Sequence, residues 1–114
     1  MSLKLPLIII LSVGLALSGA VAGVVNKGAP QIDLDGGSRG TVPFPHQKHQ
    51  NTLGDCNACH QLFPQSAGAI AGLKGEGRLA DKQVMNKLCI KCHRAEKAAG
   101  KPSGPTTCNK CHVK

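Results

Sequence analysis

The sequence predicts a small, mostly irregular fold with a few short helices and an N-terminal β-hairpin, wrapped around bound prosthetic groups instead of a side-chain core. Three observations carry this reading. The 114 residues include 14 glycines and 7 prolines but only two phenylalanines and neither tryptophan nor tyrosine, too little bulk for a self-sufficient interior in so short a chain. After residue 23 the chain also has few large aliphatic residues. All six cysteines fall in three copies of Cys-x-x-Cys-His: Cys56-Asn-Ala-Cys59-His60, Cys89-Ile-Lys-Cys92-His93 and Cys108-Asn-Lys-Cys111-His112. By this pattern two thiols form thioethers to the vinyl groups of a haem while the adjacent imidazole ligates its iron. Three haem c groups are therefore expected, and they supply the missing apolar mass.

Paired cysteines also build disulfides, and Cys89, Cys92, Cys108 and Cys111 have zinc-ribbon-like spacing. Neither alternative needs a histidine after each pair. With five histidines in 114 residues, three chance hits at the three required places have odds of about one in ten thousand on simple counting of the pattern.

Residues 1 to 25 open with Lys4, continue through the apolar run from Leu5 to Leu17 and end in small residues. A basic start, an apolar centre and Ala20-Val-Ala22 as an A-x-A site describe a secretory signal over residues 1–22. The rival is an uncleaved membrane anchor, since Leu5 to Val25 is a run of 21 uncharged residues, long enough to cross a bilayer. Either way the rest is exported, which suits covalent haem attachment outside the cytoplasmic membrane and thiols consumed in an oxidising compartment.

Residues 23–40 read as a linker or edge segment, rich in glycine. Alternation at Ile32 and Leu34 allows a short strand, with Thr41-Val42-Pro43-Phe44 as its antiparallel mate across Gly36-Gly37. Residues 41–114 then form the haem-carrying domain. Pro45 at a first helical position favours a turn carrying His46 and His49, three apart and so on roughly the same side but able to address two different haems. They are the only histidines outside the motifs and the natural distal ligands. From Gln61 to Arg78 the glycines and Pro64 predict a loop over a haem. Asp81 as N-cap, Val84, Leu88 and Cys92 at four-residue spacing, and Gly100 with Pro102 as a stop predict a helix over about 82–98. A last short helix is expected over about Thr106 to His112.

Three irons with proximal His60, His93 and His112 need three distal ligands, and the chain has two spare histidines. Met85, the only methionine after the signal and four residues before Cys89, can supply a thioether, which raises the potential relative to bis-histidine ligation. Methionines on helices more often fill gaps; an open or lysine-ligated iron is then the outcome.

The formal net charge of +8 suggests nucleic acid or anionic membrane. Six haem propionates offset much of it, and the lysines are scattered without aromatic stacking residues. No nucleic-acid binding is expected. Lysines around haem edges would instead steer acidic redox partners.

From Thr41 to Lys114 the chain resembles the triheme cytochrome c7 branch of the class III (cytochrome c3) multihaem cytochromes. The likeness rests on the Phe44-Pro45-His46-x-x-His49-Gln50 entry, the motifs at Cys56, Cys89 and Cys108, and the short lysine-rich C-terminus. It implies that His46 and His60 serve haem one, and His49 and His93 haem two. The family's further histidine, four residues before the middle motif and serving the last haem, is here Met85. The resemblance also implies little regular structure, with a small hairpin and a few helices around closely packed haems.

Haems ligated on both faces leave one-electron transfer as the available chemistry. The expected function is a periplasmic electron carrier between inner-membrane donors and terminal reductases or outer-membrane conduits, a monomer with redox-protein partners and no enzyme activity of its own. The family likeness suggests anaerobic respiration. Two alternatives stand beside it: a membrane-anchored quinol dehydrogenase subunit with the first helix retained, and a reductase acting at an open third haem.

Overall fold

Ile32 and Leu34 turn to one side of an extended segment and Asp33 and Asp35 to the other, and this alternation makes the first strand. In the structure, a computed structural model that describes residues 27–114, strand β1 (Ile32–Asp35) pairs antiparallel with β2 (Thr41–Phe44). The signal expected over residues 1–22, or the anchor expected to reach Val25, lies outside the described residues. The register pairs Ile32 with Phe44 and Leu34 with Val42, so the apolar residues of both strands share one face. The strands are joined by a single 3-10 turn, Gly37–Arg39, with Asp35 Oδ1 accepting the Gly37 N–H at 2.8 Å. Pro43 lacks a ladder donor, which a two-stranded edge accommodates.

The far end of the chain returns to this hairpin. Thr41 N–H donates to Val113 O at 2.9 Å and Val113 N–H donates back to Thr41 O at 2.8 Å. Gly40, at φ +94°, sits where a Cβ would collide with the Val113 carbonyl, so the approach needs glycine for both reasons.

Helix α1 (His46–Leu53) starts directly after β2 and ends at Gly54, whose left-handed conformation (φ 65°) lets its N–H reach Gln50 O at 3.0 Å. Pro45 stands at the N-cap, one position ahead of the helical place expected for it. One helical turn, α2 (Asn57–His60), carries the first motif. The stretch expected to be loop between Gln61 and Arg78 contains helix α3 (Ala69–Gly75). Glycine content argued against a helix here, but Gly68 (φ 74°) precedes it, Gly77 (φ 70°) follows it, and Ala69, Ala71 and Leu73 inside favour it. Arg78 and Leu79 N–H fold back onto Leu73 O at 2.8 and 3.2 Å.

The helix expected over 82–98 is present but not uniform. It includes a π turn, Met85–Cys89, in which Ile90 N–H reaches back five residues to Met85 O, and then continues as α4 (Ile90–Ala98). The bond at its entrance is made by Gln83, whose Oε1 accepts the Ala80 N–H at 3.0 Å. The last helix is shorter than expected, α5 (Cys108–Cys111), with Thr107 before it and His112 after it both extended.

Among the described residues Leu79 alone is fully buried, at 5% exposure, while Leu53 and Val113 stand exposed. Among the described residues the turns and hairpin thus enclose no side-chain interior, in keeping with a composition poor in large apolar residues.

Candidate haem-binding site

Each Cys-x-x-Cys-His motif sits on about one turn of helix, which brings the two cysteines at i and i+3 to one side. His60 N–H donates to Cys56 O at 3.0 Å and His112 N–H to Cys108 O at 2.8 Å, closing the first and last turns. All six cysteines are unpaired thiols. Burial pushes the thiols of Cys59, Cys89 and Cys111 above their ordinary range. Neighbouring thiolates add to it: Cys92 for Cys59, then Cys59, Cys111 and Cys92 for Cys89, and Cys108 for Cys111. The motifs therefore cluster. Yet no three His, Cys, Asp or Glu side chains among the described residues converge on a point where they would hold a metal ion directly, which is unlike the tetrahedral zinc arrangement the spacing allowed.

The five histidines share one feature. Each turns Nδ1 to a backbone carbonyl: His46 to Ala29 O at 3.0 Å, His49 to Pro45 O at 2.9 Å, His60 to Phe63 O at 3.2 Å, His93 to Pro105 O at 2.7 Å and His112 to Gly40 O at 3.4 Å. A carbonyl can only accept, so Nδ1 carries the proton and Nε2 keeps a lone pair. Metal-bound imidazoles are oriented in the same way, Nδ1–H held by a carbonyl and Nε2 left for the metal.

Four of the five are paired. The rings of His46 and His60 lie 6.3 Å apart between centres and those of His49 and His93 6.1 Å apart. An imidazole nitrogen sits about 2.0 Å from a first-row metal and roughly 1.1 Å from its own ring centre, so two rings on opposite sides of one metal have centres about 6.2 Å apart. The residues present fit haem iron. These are also the pairings that the family resemblance implied.

His112 has no imidazole opposite it, because the other four are committed to each other. Met85 is half-buried at the start of the π turn. That turn takes it out of the column an α-helix would place above Cys89. Beside His112 a groove of about 380 Å³ is lined by Ser38, Arg39, Asn109 and Lys114, a wall with two cations. A second groove of about 400 Å³ runs between the first motif and the π turn, past Cys59, Leu62, Gln83, Lys87 and Leu88.

Several supporting residues escaped sequence reasoning. Phe44 packs against both His49 and His46, at 4.5 and 5.9 Å between ring centres, and Phe63 meets His60 edge-on at 5.1 Å. Both phenylalanines of the chain are thus spent on imidazoles, and their nearness in sequence to those histidines was the available signal. The glycines are the other class. A Cβ on Gly36 would overlap His112 and the Gly40 carbonyl, one on Gly104 would overlap His93, and one on Gly28 would lie 3.2 Å from His46 Cε1. Nothing local in the sequence marks these contacts, because each joins positions distant along the chain.

The model of the family described as "Cytochrome c7 and related cytochrome c" matches residues 42–113. A cytochrome c7 of Geobacter metallireducens is 39% identical over 75 residues, which cover 66% of this chain and 67% of that protein. A 26 kDa cytochrome c3 of Desulfomicrobium norvegicum is 27% identical over 90 residues, covering 66% and 79%. Among solved structures, the triheme cytochrome PpcA of Geobacter sulfurreducens superposes with a TM-score of 0.53 at 34% identity, over 75% of this chain and all of that one. PpcC, a cytochrome c7 from the same organism, gives 0.52 at 31% identity over 75% and 99%.

Proposed function

We propose a function from one premise: the chain belongs to the cytochrome c7 family of multihaem electron-transfer proteins and carries three haem c. It acts as a periplasmic electron carrier between inner-membrane donors and terminal reductases or outer-membrane conduits. The observation that carries this reading is the pairing of imidazoles at 6.3 and 6.1 Å, with every Nδ1 tied to a carbonyl. His46 with His60, and His49 with His93, would each hold one iron between them and so would leave it no position for a substrate.

The haems supply one-electron chemistry at their edges. Cys56 with Cys59, Cys89 with Cys92, and Cys108 with Cys111 anchor them; His60, His93 and His112 are the proximal ligands, and His46 and His49 the distal ligands of the first two. Met85 supplies the sixth ligand of the third. The π turn supports that role, since such turns recur where a helix must redirect a functional side chain. The potentials are then spread by the chain: thioether ligation and the long 3.4 Å contact from His112 to Gly40 both make the third site the most readily reduced. Arg39 and Lys114 there meet propionates and acidic partners.

Among the described residues no helix is long and apolar enough to cross a membrane. Residues 1–22 serve as an export signal cleaved after Ala22, and the mature protein works as a monomer with redox-protein partners.

Exposing the reduced protein to carbon monoxide at neutral pH tests this reading. No spectral change is expected. A carbonyl adduct at one haem in three would favour a second reading, suggested by the lack of an imidazole opposite His112: a reductase with an open third site. Adducts at all three would overturn the carrier assignment.

A further inference from the structure

The segment between the last two motifs, Lys101-Pro-Ser-Gly-Pro-Thr-Thr107, approaches His93 more closely than a residue with a side chain would permit. A Cβ built on Gly104 would overlap the imidazole at Cε1 and Nε2 and stand 2.8 Å from Nδ1. The following residue, Pro105, offers its carbonyl to His93 Nδ1 at 2.7 Å, the short limit for an N–H···O bond and the shortest of the five histidine contacts. The free thiol of Cys111 also reaches this carbonyl, at 3.9 Å. A thioether sulfur has no proton, so in the haem-bound protein the carbonyl belongs to His93 alone. Gly104 does not occupy the left-handed region, and Pro105 after it biases it toward extended conformations. Its glycine is therefore required by space and not by backbone torsion.

We propose that Gly104 is a positioning residue for His93, and that its close approach makes the middle haem the lowest-potential site of the three. This rests on His93 being the proximal ligand of that haem, as proposed above. A short Nδ1–H to carbonyl bond feeds electron density into the ring and raises the basicity of Nε2. A more basic axial ligand favours the ferric state. The three proximal contacts follow a series: 2.7 Å for His93, 3.2 Å for His60 and 3.4 Å for His112. On this ground alone the potentials rise in the same order.

The experiment compares Gly104→Ala with Gly72→Ala in the haem-loaded protein. Gly72 lies inside α3 with nothing within 4 Å of an added Cβ, so it controls for gaining a methyl group. Potentiometric titration resolved by NMR of the haem signals is expected to show a positive shift at the middle haem in Gly104→Ala, with the first haem unmoved and Gly72→Ala like wild type. Unchanged potentials, or equal shifts at all three haems, would overturn the proposal. If the variant fails to accumulate, the wild type decides. In the reduced, diamagnetic protein the His93 Nδ1 proton should exchange with solvent most slowly of the three proximal histidines, and exchange as fast as that of His112 sinks the idea. Failure of the underlying ligation reads differently: the wild type would then show a high-spin signal or bind carbon monoxide at the middle haem.

Discussion

The rings of His46 and His60 cross at 72°, whereas those of His49 and His93 lie within 31° of parallel, at nearly the same separation. The difference has a structural origin. His46 is fixed by Ala29 from the segment before β1, His49 by Pro45 at the cap of its own helix. Two imidazoles aligned on one iron reinforce each other in splitting its d orbitals; two crossed imidazoles offset each other. Electron paramagnetic resonance of the oxidised protein at cryogenic temperature should therefore give two distinct bis-histidine signals, with the greater g anisotropy at the first haem. Identical signals would mean that the ring planes are not as the fold holds them.

Met85 as sixth ligand predicts a far-red thioether-to-iron band in the oxidised protein, with the intensity of one haem in three. Met85→His should abolish the band and lower the potential of the third haem while leaving three haems attached by mass. Met85→Ala should abolish it and open that site to carbon monoxide. A wild type without the band rules the ligand out.

The fold should not survive without its haems. Leu79 is the single fully buried residue among those described, and one buried leucine contributes about 2 to 3 kcal/mol, far less than the cost of ordering even a few residues of backbone at about 1 to 2 kcal/mol each. A chain with all six cysteines changed to serine is expected to show coil-like circular dichroism and no cooperative melting transition. Replacing Cys56 and Cys59 alone should remove one haem by mass and free His46 and His60.

Much of this was legible in the chain before its structure. The haem motifs announce themselves by spacing, and the hairpin by the alternation of Ile32 and Leu34 against Val42 and Phe44. The helix around Cys92 was visible in its four-residue apolar repeat. What stayed hidden depends on contacts between distant positions. Helix α3 lies in a glycine-rich stretch in which Gly68 and Gly77 turn out to bound it while Gly72 and Gly75 lie within it. The π turn at Met85 leaves the apolar repeat almost unchanged, so no periodicity reveals it. Gly36 and Gly104 look like ordinary loop glycines until His112 and His93 are seen against them.

Gly36 and Gly72 separate the two roles a glycine plays here. Gly36, before the turn of the hairpin, has φ −94°, which any residue adopts, yet a Cβ there would strike His112 and the Gly40 carbonyl. One obstacle is backbone, held in place by the reciprocal Thr41 and Val113 bonds next to it, so it cannot swing aside as a side chain would. Gly36→Ala should therefore destabilise the haem-loaded protein by about 1 to 3 kcal/mol, the usual range for overpacking, and its spectral effects should fall on the third haem alone. Gly72→Ala adds its methyl to open space on a helix and should stabilise by roughly 0.5 to 1 kcal/mol. Thermal melts of the two variants beside wild type check both signs. A Gly36→Ala protein as stable as wild type would show that the Thr41 and Val113 bonds do not hold His112 against the hairpin.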